Sequence, residues 1–330
     1  MPQKNNSKEP AMLDVSGTGR ASEKHWAAIE ERGVYWGINT MVFIYRYFGR
    51  WIFTLILYPV MAYFFVAGAQ TRKHSKEFLL RAYEFDAQAS PFSQKPGLWQ
   101  SFLHLLSFGN SLIDKIASWL GEVPHKSIEF VNRQMFLDAV EKHQGGIIFA
   151  SHLGNMELCR AMGQSEHKMK LNVLVHTHHA ENFNRVLRKA NSNVTAELLQ
   201  VTSVGPDTAI MLQEKITNGE MIIIVGDRLS VSNPGRNVRL DFLGKPASFP
   251  QGPFILAHLL KCPVYLLFCV KESKGYSIHF ESFAEKISLP RKTREEALRR
   301  VTEAYARRLE YFAVRYPLQW YNFFDFWYEH

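Results

Sequence analysis

Between residues 145 and 283 the chain repeats one pattern, a short β-rich apolar run followed by a stretch of helical periodicity. The runs are IIFA (147–150), LNVLVHT (171–177), MIIIVGD (221–227) and PVYLLFCV (263–270), with a weaker AELLQVT (196–202) and an alternating YSIHFESF (276–283). Between them, ENFNRVLRKAN (181–191), PDTAIMLQEKITNG (206–219) and PFILAHLLKC (253–262) read as helices. The second of these has Pro206 near its first turn and Asn218-Gly219 at its stop, the usual asymmetry of helix ends. Runs apolar at nearly every position must be covered on both faces, and strands separated by helices of this length belong to an α/β sheet. The expected fold is α/β, with a mixed, largely parallel central sheet flanked by helices.

Residues on either side extend this picture. The 75–120 stretch reads as helical with a loop at ASPFSQKPG (89–97), and a short helix is expected over 133–143, before Gly145. Residues 292–312 predict an amphipathic helix. Leu298, Val301, Tyr305, Leu309 and Phe312 form its apolar face, and Arg294, Arg299, Arg300, Arg307 and Arg308 crowd the remainder. A chain of 330 residues can bury a substantial core.

The N-terminal part is different in kind. Residues 1–30 are polar at first and lack the apolar core of a signal peptide, and they read as an unstructured lead. WIFTLILYPVMAYFFVAGA (51–69) carries no charge and is of borderline length to cross a bilayer. Trp36, Tyr45, Tyr47, Phe48 and Trp51 precede it among basic residues, a mixture suited to a headgroup boundary. Residues 31–74 are therefore expected to be a membrane-associated helical anchor, spanning or monotopic, and 75–330 the catalytic α/β domain. A buried helical hairpin is the competing reading.

The formal net charge of +8 favours anionic partners. Cys159, Cys262 and Cys269 have no metal-site spacing and read as reduced, structural thiols. His176, His178 and His179 in VHTHHAEN do not specify convergent metal ligands, so no metal and no cofactor is expected. No GxGxxG or GxxxxGK[ST] phosphate loop and no GxSxG elbow occurs.

The first apolar run ends at His152, and a helix is expected to begin near Leu153 or Gly154. In open α/β sheets this edge collects ligands. Glu157, five residues on, can reach one imidazole nitrogen if His152 sits in the loop; such a carboxylate fixes the tautomer and stabilises the imidazolium as the ring takes a proton. From the residues alone, a structural His–Glu pair or a helix cap fits as well.

HLGNME resembles the HX4(D/E) motif of glycerolipid-type acyltransferases, and closely that of the bacterial lipid A biosynthesis acyltransferases. The resemblance continues in the hydrophobic N-terminal segment, in VGDRLS (225–230), in LDFLGKPASFPQGPFILA (240–257) and in the Pro-x-x-Trp element of YPLQWY (316–321). It implies acyl transfer from an acyl-carrier protein or acyl-CoA thioester to a hydroxyl of a lipid or lipid-like acceptor, at the cytoplasmic side of a bacterial inner membrane. His152 would be the general base and Glu157 its orienting acid. Backbone N–H groups near Gly154 and Asn155 would meet the oxyanion. Where the family usually has Asp-Gln, this chain has Asp227-Arg228, which puts the usual disaccharide lipid acceptor in doubt and makes Asp227 and Arg228 candidate oxyanion or substrate contacts. Arg185, Arg188, Arg236 and Arg239 are candidate donor or phosphate contacts. Phe242, Gly244 and Phe249 are candidates for the lip of an acyl groove. The rivals are a hydrolase using Cys159 and a membrane-bound scaffold; a basic C-terminal helix without a basic–aromatic platform argues against nucleic-acid binding.

Overall fold

The computed structural model describes residues 43–120, 122, 128–158, 169–175, 197–200, 205–229 and 235–327. Helix α1 (Phe43–Ala67) runs straight through Pro59, and α2 (Ala69–Phe85) follows after Gly68. Helix α3 (Leu98–Trp119) leads to β1 (Ile128–Val131) and α4 (Arg133–Glu141). Then come β2 (Gly146–Ala150), β3 (Leu171–Val175), β4 (Glu197–Gln200), α5 (Pro206–Thr217) and β5 (Met221–Val225). A hairpin of β6 (Asn237–Phe242) and β7 (Lys245–Pro250) precedes α6 (Gly252–Leu260), β8 (Val264–Glu272), β9 (Gly275–Ala284) and α7 (Arg294–Arg315).

Seven strands form one sheet in the order β1-β9-β8-β2-β5-β3-β4. Its centre, β8-β2-β5-β3-β4, is parallel throughout, as expected for fully apolar strands. Strand β9 turns back antiparallel on β8, and β1 lies parallel to β9. Sequence reading places the six longer runs as strands and overlooks β1, whose four residues alternate too briefly to register.

The period-two alternation sorts the strand residues between two cores. Ile147, Phe149, Ile222, Ile224, Leu266 and Phe268 face α2, α5, α6 and α7. Ile148, Ala150, Met221, Ile223, Leu267 and Cys269 face Phe136 and Ala139 of α4. The face expected on the C-terminal helix is the one that packs, with Leu298, Tyr305, Leu309 and Phe312 of α7 buried. Of its arginines, Arg307 pairs with Glu303 and Glu310, and Arg308 with Glu281.

A third cluster joins α1 to α3. Tyr45, Phe53, Leu57 and Met61 pack on Leu105, Leu106, Ile113, Ile116 and Ala117. Gly109 makes this approach close, because a Cβ there would lie 2.7 Å from the Leu57 side chain. The opposite face of α1 exposes Phe43, Tyr47, Phe48, Trp51, Leu55, Ile56, Tyr58, Tyr63, Phe64 and Val66. The helix is long and apolar enough to cross a membrane by length and composition, and it is mostly unburied.

Candidate active site

Strands β2 and β5 are neighbours in parallel register, with Ala150 opposite Val225. Two residues beyond those ends the chain carries His152 and Asp227, so the register brings the two side chains together. The His152 Nδ1 lies 2.8 Å from Asp227 Oδ1, and the His152 backbone N–H donates to Oδ2 at 2.9 Å. A third donor, the Trp320 indole Nε1–H, reaches Oδ2 at 2.9 Å.

Asp227 is 1% exposed. Burial by itself pushes a carboxyl pKa up, but the His152 charge and these hydrogen bonds outweigh it, and the Asp227 pKa stays below the ordinary carboxylate value. An ionised carboxylate only accepts, so the proton of the neutral imidazole sits on Nδ1 and Nε2 carries the lone pair. The His152 side chain is 35% exposed, enough to be met by a substrate. The arrangement is a partly exposed imidazole held in one tautomer by a buried carboxylate.

The turn after His152 is held equally firmly. The Leu153 N–H donates to Ser151 Oγ, and Leu153 bridges to Trp320 in an antiparallel contact. The Gly154 N–H donates to the Gln319 carbonyl and the Asn155 N–H to the Cys269 carbonyl, both at 2.8 Å. The Tyr321 N–H returns to the His152 carbonyl at 3.1 Å. Gly154 has φ +77°, and a Cβ there would lie 1.8 Å from the Cys269 oxygen, so only glycine fits.

This geometry corrects two expectations. The backbone N–H groups of Gly154 and Asn155 already donate to protein carbonyls, so they do not form the expected oxyanion hole. Asp227, expected beside the oxyanion, is instead the acid on His152 Nδ1, the position expected for Glu157. Glu157 sits half-buried at the start of the following helix, and its backbone carbonyl accepts from Ser118 Oγ.

Behind the dyad lies a second polar relay. Trp320 is 1% exposed and its carbonyl accepts from His104 Nε2 at 3.0 Å. His104 Nδ1 meets Ser75 Oγ at 3.0 Å, and Ser101 Oγ donates to Ser75 Oγ at 2.9 Å. Burial lowers the His104 pKa to about 4, so the ring is neutral near physiological pH. Helices α2 and α3 thereby fix the strap that grips Asp227. The Tyr305 hydroxyl adds a bond to the Ala150 carbonyl at 2.7 Å, anchoring the end of β2.

The other expected residues fall elsewhere. Arg228 is exposed at residue level; one guanidinium N–H donates to the Tyr321 carbonyl at 2.7 Å and the group lies 5.4 Å from the Phe324 ring centroid. Arg236, just before β6, and Arg239, within it, are exposed. Phe242 and Phe249 are fully buried and pack edge-on to each other, with Phe242 also against Trp320; they are core, not a groove lip, because the hairpin turns their faces inward. Leu243 and Gly244, both at positive φ, make the two-residue hairpin turn. Arg185, Arg188, Cys159, His176, His178 and His179 lie outside the described residues. Among the described residues no group of three or more His, Cys, Asp or Glu is placed to hold a metal.

Two of these roles were missed by sequence reasoning. The Asp227 pairing carried a signal, since two apolar strands each end two residues before a titratable side chain, but strand order is needed to read it. The His104 relay carried none, because a lone histidine in an apolar helix reads as core.

The structure is an α/β sheet with a histidine–aspartate pair at the carboxyl end of its central strands, the edge where ligands collect in open α/β sheets. The chain matches the family model of the bacterial lipid A biosynthesis acyltransferases over residues 111–328, two-thirds of its length, and it belongs to that family. No curated protein gives a significant match. The matched region begins within α3 and contains the dyad, the hairpin and the Trp320 strap.

Proposed function

We propose that the protein transfers a fatty acyl group from a carrier thioester to a hydroxyl of a membrane-borne acceptor, with His152 as general base and Asp227 as its orienting acid. The observation that carries this reading is the His152 Nδ1–Asp227 Oδ1 bond of 2.8 Å on a ring whose Nε2 has no partner among the described residues. In the reaction, Nε2 takes the proton of the acceptor hydroxyl as its oxygen attacks the thioester carbonyl carbon. The tetrahedral intermediate collapses, the C–S bond breaks, and the leaving thiolate takes the proton from the imidazolium. Asp227 stabilises the imidazolium between these two transfers.

The donor is acyl-carrier protein or acyl-CoA; both are anionic, and the net charge of +8 favours either. The aromatic outer face of α1 suits the interface of the bacterial inner membrane, on its cytoplasmic side, where such thioesters are made. The test is incubation of detergent-solubilised protein with labelled acyl-carrier protein and total cell lipid. Label enters a lipid product with wild type, and His152→Ala lowers that rate by about 10³-fold or more with the unfolding midpoint unchanged. Label released only as free fatty acid, or transfer undiminished by His152→Ala, would overturn the reading.

A further inference from the structure

Helix α1 lies against α3, and α3 is in turn fixed to the catalytic sheet. We propose that α1 does not cross the bilayer but lies in the plane of one leaflet, and that Leu98 and Trp99 of α3 enter the same leaflet beside it. The proposal rests on the membrane contact in the acyl-transfer reading and supplies its geometry; it does not depend on the reaction.

The first argument is the packing of α1. The two helices run antiparallel and touch from end to end. Phe65, near the end of α1, packs edge-on against Phe102, near the start of α3, at 5.4 Å. Leu57 and Met61 close over Gly109, and Arg50 pairs with Asp114 at 2.6 Å. The other side of α3 belongs to the sheet. Ser101 donates to Ser75, and His104 meets the Trp320 carbonyl. The Asp114 carboxylate takes the Lys271 ammonium at 2.7 Å and the Tyr276 hydroxyl, both at the β8–β9 turn. Ser118 donates to the Glu157 carbonyl. Ser101, His104, Asp114 and Ser118 are all buried.

These contacts decide the orientation. The 25 residues of α1 make a helix of about 38 Å, against a hydrocarbon layer of about 30 Å. Set across that layer, α1 would carry α3, the Arg50–Asp114–Lys271 cluster and the β8–β9 turn into hydrocarbon, where charged groups are costly. Set along the surface, it keeps its packed face on protein and gives only its outer face to lipid.

The second argument is the extent of the apolar surface. Leu98 and Trp99 are 58% and 63% exposed. The Trp99 ring lies 5.5 Å from Phe102, which itself touches Phe65, so the apolar surface continues from the end of α1 onto the start of α3. A spanning helix has no use for a second apolar wedge outside it; an in-plane anchor gains area from one. The rings along α1 suit a headgroup boundary. Arg46 on α1 and Lys73 and Lys76 on α2 are exposed. An anionic leaflet answers these cations, whereas a second copy of the chain would bring the same charges with it.

The experiment reconstitutes the full-length protein into vesicles of phosphatidylethanolamine and phosphatidylglycerol. Each sample carries one fluorescent label, at Tyr47→Cys, Leu55→Cys, Val66→Cys or Trp99→Cys, in a Cys159→Ser background; Cys262 and Cys269 are buried. Phospholipids brominated at stepped depths read the depth of each label. All four are expected at one shallow level, about 5–10 Å into the leaflet. In parallel, Leu98→Ser with Trp99→Ala is expected to lower partition of the unlabelled protein into vesicles by about tenfold, with the unfolding midpoint in detergent unchanged. A Leu55 label near the bilayer centre, with the Tyr47 and Val66 labels at opposite surfaces, identifies a spanning helix and overturns the proposal. A Trp99 label quenched by aqueous iodide and not by lipid, or partition unchanged in the double variant, overturns it as well. Labels on α1 reached by neither quencher report a second protein copy on this face and also overturn it. Each of these results leaves the acyl-transfer reading standing. Protein that binds no vesicles overturns the membrane contact of that reading, and the proposal with it.

Discussion

Two histidines meet the same tryptophan from opposite sides, and their surroundings give them opposite tasks. His152 gives its Nδ1 to a buried carboxylate that the Trp320 indole also grips, and its side chain is partly exposed. His104 gives its Nε2 to the Trp320 carbonyl and its Nδ1 to a serine, and it is fully buried. The first ring has a carboxylate partner and is partly exposed. The second has only neutral partners and no solvent, so protonation is penalised and its pKa falls to about 4. The same side chain is thus a partly exposed partner of a carboxylate at one site, the base of the proposed reaction, and a buried structural connector at the other, and the difference lies in one carboxylate and in access to water.

The contrast breaks most completely at the carboxylate. Asp227→Asn keeps the volume and removes the charge that supports the imidazolium; kcat for acyl transfer is expected to fall by about 10²–10⁴-fold in single-turnover measurements. Asp227→Ala is expected also to lower the unfolding midpoint, since His152 N–H and the indole N–H lose their acceptor inside the fold.

The next effect is on stability and reads out at His104. A histidine whose folded pKa of about 4 lies below its ordinary 6.5 favours the fold fully above pH 6.5. That contribution is lost as pH falls from 6.5 towards 4, and its full size is about 3 kcal/mol. Asp227, whose folded pKa is also depressed, acts in a lower window, below the ordinary carboxylate range; His279, likewise lowered by burial, shares the window below pH 6.5, so the His104 share is read as the difference between wild type and His104→Gln. Denaturant titrations at pH 7.5 and 5 are expected to show this loss in wild type, and His104→Gln a markedly flatter dependence.

Smaller effects sharpen the division of labour. Trp320→Phe keeps an aromatic ring against Phe78 and Phe242 and removes the indole donor. It is expected to cost about tenfold in kcat, the worth of one hydrogen bond to a charged group, and to move the acidic limb of the pH–rate profile as the Asp227 carboxylate is released. Glu157→Gln is expected to cost about fivefold or less and to leave that limb in place, because the carboxylate on Nδ1 is Asp227. An acidic limb that moves with Glu157→Gln and not with Trp320→Phe would reverse the assignment.

Much of this was legible in the chain. The apolar runs ending at Ala150 and Val225, the helical face of Leu298, Tyr305, Leu309 and Phe312, and the histidine just past the end of the first apolar run all follow from local patterning. Phe242 and Phe249 misled because an aromatic–glycine turn reads alike whether its rings line a groove or fill a core. Glu157 misled because nearness in sequence stood in for nearness in space; Asp227, 75 residues from His152, is the closer partner.

By itself the sequence determined the sheet-and-helix architecture, the apolar outer stripe of α1 and the place of His152 just past the first central strand, because each is a periodicity or a chain-local turn. Tertiary structure alone decided which acid His152 meets, that His104 is buried and neutral, and which amides are already taken at the turn. Those depend on strand order, register and the return of the Trp320 strap, and pairing between distant strands leaves no trace in the local pattern of either.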